Sequence, residues 1–134
     1  MSYNNHEIKI DTQAFLVSET DKKGIIRFAN DDFCKYADYN IDELIGKPHN
    51  IVRHPDMPRA AFKDLWETVK SGKRWSGFVK NKAKNGGYYW VYATVFPFTT
   101  CDGEDGYISC RRTVSTMEKE KYEKLYKEMK KEER

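Results

Sequence analysis

The strongest constraint on the fold lies on either side of Asn85-Gly86-Gly87. Ser76 to Lys84 alternates in polarity, and Tyr88 to Phe96 is dense in aromatic and β-branched residues. Period-two alternation reads as strand, and an Asn-Gly pair supplies the positive-φ residues that a tight hairpin needs. An antiparallel pair is therefore expected here. A second turn, Asp102-Gly103-Glu104-Asp105-Gly106, leads into a final strand from Tyr107 to Val114.

The first half is punctuated more often. Ala14 to Ser18 and Ile25 to Phe28 read as short strands joined by the turn Asp21-Lys22-Lys23-Gly24. Asn30 is placed to cap a helix whose apolar members are Phe33, Tyr36 and Ala37. Asn40-Ile41-Asp42-Glu43 has the form of a capping box opening a one-turn helix, which Gly46 ends and Pro48 keeps from continuing. Pro55 biases His54 away from helix. Asp56 is then expected to cap a longer helix, with Pro58 in its first turn and Ala61, Phe62, Leu65, Trp66 and Val69 on one face.

From Ser115 onward the chain has no Gly or Pro. Tyr122, Leu125, Tyr126 and Met129 form a narrow stripe, supported by the i,i+4 pairs Glu120–Lys124 and Glu123–Lys127. This helix is expected to extend beyond the core. The order implies an α+β fold, one antiparallel sheet covered on one face by helices, with space for a ligand between them.

A length of 134 residues suits one domain, and 14% aromatic residues can furnish its core despite the negative mean hydropathy. The net charge of +3 comes largely from scattered lysines, which does not make the clustered face a nucleic acid requires. No apolar run approaches the ~20 residues of a membrane span, and Met1 to Asp11 lacks the apolar centre of a signal peptide. A soluble, cytoplasmic chain is expected. Cys34, Cys101 and Cys110 are odd in number and lack C-x-x-C spacing, which argues against a disulfide framework or zinc site.

Two segments can carry chemistry. His49-Asn50-Ile51-Val52-Arg53-His54-Pro55-Asp56-Met57-Pro58 concentrates an Arg, two His and an Asp where the prolines enforce irregular backbone. Arg53 can hold a phosphate in bidentate fashion, and His54 can donate to a phosphate or a sugar hydroxyl. In the strand Trp75-Ser76-Gly77-Phe78-Val79-Lys80-Asn81, period two separates Trp75, Gly77, Val79 and Asn81 from the lysine-bearing face. The lysines are expected to meet solvent, Gly77 to leave room for a flat ring, and Asn81 to offer that ring a donor and an acceptor. No nucleophile elbow, P-loop, H-E-x-x-H or G-x-G-x-x-G motif is present, so catalysis finds no support.

The run Gly46 to Phe62, together with Trp75-Ser76-Gly77, Lys80-Asn81-Lys82, Lys84-Asn85-Gly86 and Tyr89-Trp90-Val91, resembles the PAS domain of bacterial aerotaxis receptors. The resemblance implies a PAS fold, a five-stranded antiparallel sheet with short helices on one face. It divides the chain into an N-terminal cap segment (1–12), a sensory core (13–115) and a C-terminal signalling helix (116–134). It implies non-covalent FAD, whose redox state is reported to a chemotaxis domain or protein, and a homodimer. Asn30, Arg53, His54, Asp56, Trp66, Trp75 and Asn81 match positions linked to flavin binding in such domains. His49 and Asn50 belong to the same run.

A more distant similarity to light-sensing LOV domains places their adduct-forming cysteine at His49 and their second ring-contacting asparagine at Val91, so an adduct photocycle is not expected. Their glutamine beside flavin N5 falls near Arg111, and the inward face of the final strand stays open at this point. An inward Arg111 would stabilise a negatively charged reduced flavin. Spacing does not separate FMN from FAD. The competing readings are a cofactor-free dimerisation module, a haem sensor with His49 or His54 as axial ligand, and a flavin-dependent enzyme.

Overall fold

A computed structural model describes residues 6–133. Five antiparallel strands form one sheet: β1 (Leu16–Asp21), β2 (Ile26–Ala29), β3 (Trp75–Lys82), β4 (Tyr88–Thr99) and β5 (Asp105–Arg112), in the order β2-β1-β5-β4-β3. Between β2 and β3 lie α1 (Asp31–Ala37), α2 (Ile41–Leu44), a 3₁₀ turn (His49–Val52) and α3 (Arg59–Lys70). A last helix, α4 (Thr116–Glu132), follows β5.

Local signals explain most of these elements. Asn40 and Glu43 make the expected capping box, and Gly46 follows in the left-handed region at φ 85°. Asn30 caps α1 by accepting from the Phe33 amide, and it also accepts from Val17 N and donates to Phe15 O. Its carboxamide therefore ties α1 to β1, with both oxygen lone pairs and one N–H engaged there. Two strand boundaries shift. Ala14 belongs to a turn closed on Asp11, which delays β1 to Leu16. Thr99 pairs with Asp105, which starts β5 earlier than the glycines suggest.

The expectation that Asp56 caps α3 is not met. Pro58 occupies the N-cap position and has no side-chain acceptor to offer. The free amides of Arg59 and Ala60 instead donate to the Glu133 carboxylate at 3.1 and 2.9 Å, a cap supplied from beyond the far end of α4.

That contact shows how α4 lies. It does not project from the core; it returns across the outer face of β3 and β4. Phe78 stacks on Tyr122 with ring centroids 4.2 Å apart, and Trp90 stacks on Tyr126. The Tyr126 hydroxyl donates to Phe78 O at 2.6 Å. The lysine-bearing face of β3 is therefore covered, and Lys80, only 9% exposed, bonds Asp56 at 2.8 Å. The expectation of a solvated face failed because Phe78, Trp90 and Tyr92 give that side apolar area enough to dock a helix.

Of the N-terminal cap segment, residues 6–12 lie on the domain's own surface. Ile8 N donates to Tyr88 O at 2.7 Å, and Ile10 is buried in the core. Residues 1–5 lie outside the described residues. Among the described residues no helix is long and apolar enough to cross a membrane.

Candidate functional site

The inner face of the sheet is set by register. Ser18 opposes Ser109, Thr20 opposes Tyr107, and Leu16 opposes Arg111, whose neighbour on β4 is Ala93. The small side chains of Ser18, Thr20, Ala93 and Ser109 leave a cavity of about 310 Å³ against the 3₁₀ turn and α3. That volume is near the lower bound for small-molecule pockets. Val79, Asn81 and Val95 complete the sheet wall, and His49, Asn50, Val52, Arg53, Phe62, Leu65 and Trp66 form the helical wall. Trp66 meets Tyr107 edge-on at 5.5 Å and closes one side. Gly24, at φ 84°, lies so near the Trp66 indole that a Cβ would come within 3.3 Å of it.

The face of β5 left open by sequence is now defined. Arg111 points inward and is 4% exposed. Its Nη2 donates to Ser18 Oγ at 3.0 Å and to His49 Nε2 at 2.8 Å, and its guanidinium lies over the Phe33 ring. Burial pulls its pKa down to about 10, which still leaves it cationic at neutral pH. Among the described residues that line the cavity, Lys23, Arg53 and Arg111 carry positive charge and none is a carboxylate. Ser109 Oγ, also in this wall, is buried without a hydrogen-bond partner. A buried cation without a counter-charge and an orphaned hydroxyl are costly unless a ligand answers them.

Six of the ten candidate residues line this cavity: His49, Asn50, Arg53, Trp66, Asn81 and Arg111. Asn81 is 3% exposed, stands opposite Tyr89 in the β3–β4 register and forms a backbone bridge to Arg53. Arg53 lies over the Phe62 ring at 3.9 Å rather than in a surface ion pair. The other four lie outside its wall, Asp56 in the wall of a broader groove that Asn50 and Arg53 also border. Asn30 caps α1 and bonds β1. His54 is buried outside the cavity wall, its Nδ1 accepting from Asp56 N at 3.0 Å, and the Asp56 carboxylate faces Lys80. Trp75 donates its indole N–H to Asp64. A Cβ on Gly77 would meet the Trp75 ring at 2.6 Å, so the flat ring that Gly77 makes room for is that of Trp75. Ser18 and Thr20 also line the cavity and were not anticipated from the sequence. Their signal was present in Leu16-Val17-Ser18-Glu19-Thr20, where hydroxyls fall on the inward period.

His49 is expected to make the domain sensitive to acid. Burial first, and the Arg111 charge second, pull its pKa from 6.5 to about 3. The exposure it keeps is toward the cavity it lines. Below 6.5 the unfolded chain binds a proton there that the folded chain does not, so folding stability falls with pH from 6.5 toward 3. The slope from this group is at most about 1.4 kcal/mol per pH unit. Urea unfolding at about pH 7 and about pH 5 tests this, with His49→Gln expected to flatten the dependence. An unchanged slope in that variant would contradict the assignment.

Comparison with known proteins agrees with this architecture. Residues 26–111 match the family model described as the PAS fold, and the chain belongs to that family. Among its relatives, the aerotaxis receptor of Escherichia coli (strain K12) is 48% identical over 84% of the chain. The nitrogen fixation regulatory protein of Klebsiella pneumoniae is 26% identical over 79% of the chain. The chain spans 22% of the length of each. It is thus a PAS domain of the aerotaxis-receptor type. The structure reported as "Flavin Analogue Sheds Light on Light-Oxygen-Voltage Domain Mechanism" superposes with a TM-score of 0.66 at 18% identity, covering 90% of this chain and 87% of that one. The light state of the blue-light photoreceptor Aureochrome1 LOV gives 0.65 at 19%, covering 86% and 88%. These two likenesses support the fold.

Proposed function

We propose that this domain binds FAD in the inner cavity and passes the flavin's redox state through α4 to a chemotaxis signalling partner. The observation that carries the reading is Arg111, a buried cation with no carboxylate in the cavity wall, beside the orphaned Ser109 hydroxyl. A flat ring with a polar edge that can take up negative charge answers both groups. When bound, the flavin supplies a ring system that accepts and releases electrons.

The chain's residues do the rest. Asn81 presents a carboxamide donor and acceptor, Arg111 a fixed cation, and Trp66 and Tyr107 an aromatic wall. Asn50 and Arg53 also border a broader groove of about 1290 Å³, where Arg59, Lys80, Lys82, Lys127, Lys130 and Lys131 outnumber the carboxylates Asp56, Glu123 and Glu133. That groove supports a ligand with a phosphate-bearing tail, and so a dinucleotide. His49 Nε2 is engaged by Arg111 and Ser18, which disfavours axial ligation of a haem by that atom.

Signalling follows from where these side chains stand. Asn81 and Arg111 are on β3 and β5, and β3 holds Tyr126 of α4 on its opposite face. A change in ligand charge alters what both side chains must satisfy, and a few kcal/mol of differential interaction is enough to shift a two-state helix. The partner, a homodimeric state and a cytoplasmic location belong to this same reading.

The visible spectrum of the purified chain, before and after dithionite, tests it. Flavin bands that bleach, with FAD released on denaturation, are expected. A Soret band would move the case to haem, and a colourless protein that takes up no added FAD would leave a cofactor-free interaction module.

A further inference from the structure

We infer that His49 and Ser18 are positioning residues for Arg111, fixing its guanidinium so that one edge stays turned to the cavity. The inference rests on the flavin reading and assigns a role within that site. Arg111 donates from Nη2 to both Ser18 Oγ and His49 Nε2, while Nη1 reaches its own strand at Ser109 O. Among the described residues, the Nε–H and the second Nη1–H of Arg111 meet no hydrogen-bond acceptor. Ser18 and His49 are themselves 3.0 Å apart, so the three side chains close a ring of polar contacts. Phe33 supports that ring from below, lying under the Arg111 guanidinium at 5.0 Å and edge-on to His49 at 5.7 Å.

An arginine side chain otherwise has many rotamers, and each unselected one removes the charge from the ligand. Accepting from Arg111 also fixes the neutral His49 with its proton on Nδ1, because Nε2 must keep its lone pair. A protonated His49 would set two cations 2.8 Å apart, and burial excludes that state at neutral pH. On this inference His49, although it lines the cavity, acts on the ligand through Arg111.

Two readouts on the 134-residue chain decide this. The first is the flavin midpoint potential in His49→Leu, His49→Gln, Arg111→Gln and the double variant His49→Leu/Arg111→Gln. His49→Leu should lower the potential in the direction of Arg111→Gln but by less. Glutamine, which restores an acceptor, should recover most of the loss, and His49→Leu should add nothing once Arg111 is gone. An equal effect of His49→Leu in both backgrounds would show direct ligand contact and overturn the inference.

The second readout needs no flavin. A slowly exchanging guanidinium ¹⁵N–H signal, identified by its loss in Arg111→Gln, should persist in His49→Gln and broaden away in His49→Leu. Ser18→Ala should weaken it if His49→Leu fails to fold. A signal unaffected by Ser18 and His49 changes would overturn the positioning role, whereas failure to bind flavin with the signal behaving as stated would overturn only the flavin reading.

Discussion

Arg111→Gln is expected to lower the midpoint potential of the flavin-loaded domain by about 60 mV. The guanidinium sits at the inner end of the cavity, 4% exposed, with no carboxylate in the cavity wall to offset it. A preorganised donor aimed at developing negative charge contributes about 3 kcal/mol where water is excluded. For a two-electron couple that corresponds to about 60 mV. The sign is fixed by charge: a cation favours the more negative reduced form, so removing it makes reduction harder. The same substitution should leave the cofactor-free domain at least as stable, because a neutral side chain avoids the cost of burying an uncompensated cation. A dye-coupled potential titration together with urea unfolding of the apoprotein checks both halves. An unchanged potential would remove Arg111 from the electronics of the site.

Much of this was legible in the sequence, and the limits have physical causes. The strand pair around Asn85-Gly86-Gly87 and the capping box at Asn40 could be read because turn chemistry and helix caps are local. Asn81 could be read because a carboxamide on the inward period of a strand is an anomaly that needs a partner. His54, Asp56 and Trp75 fall outside the inner cavity wall because residues close together in sequence need not converge in space. The chain turns at Pro55, and sends Asp56 to the Lys80 side of the sheet while Arg53 stays with the cavity. The covered outer face was illegible for another reason. Lysine on a strand ordinarily means solvent, and only tertiary packing reveals that Lys80 lies beside Asp56 near the docked helix. Glu133 capping α3 joins residues 74 apart, beyond any local pattern.

Tyr126→Ala is expected to undock α4 and to cost about 3 kcal/mol, in the range for truncating a buried aromatic residue. Tyr126 is 8% exposed, stacks on Trp90, meets Tyr122 edge-on and bonds the β3 backbone through its hydroxyl. Burial pushes that phenol up to about 12, so the hydroxyl stays a donor across the physiological range. Tyr126→Phe keeps the ring and loses only the bond to Phe78 O, which should cost about 1 kcal/mol and leave α4 docked. The two variants separate packing from hydrogen bonding. Amide exchange is the most direct measurement: in Tyr126→Ala the amides of α4 and those of Arg59 and Ala60 should lose protection together. They are joined because Glu133, which caps α3, follows directly on α4. That linkage gives α4 a second hold on the domain, at the segment leading back to Arg53 in the cavity wall. If α4 opens while Arg59 and Ala60 stay protected, the helix is held at β3 alone, and a signal from the cavity would have to pass through the sheet.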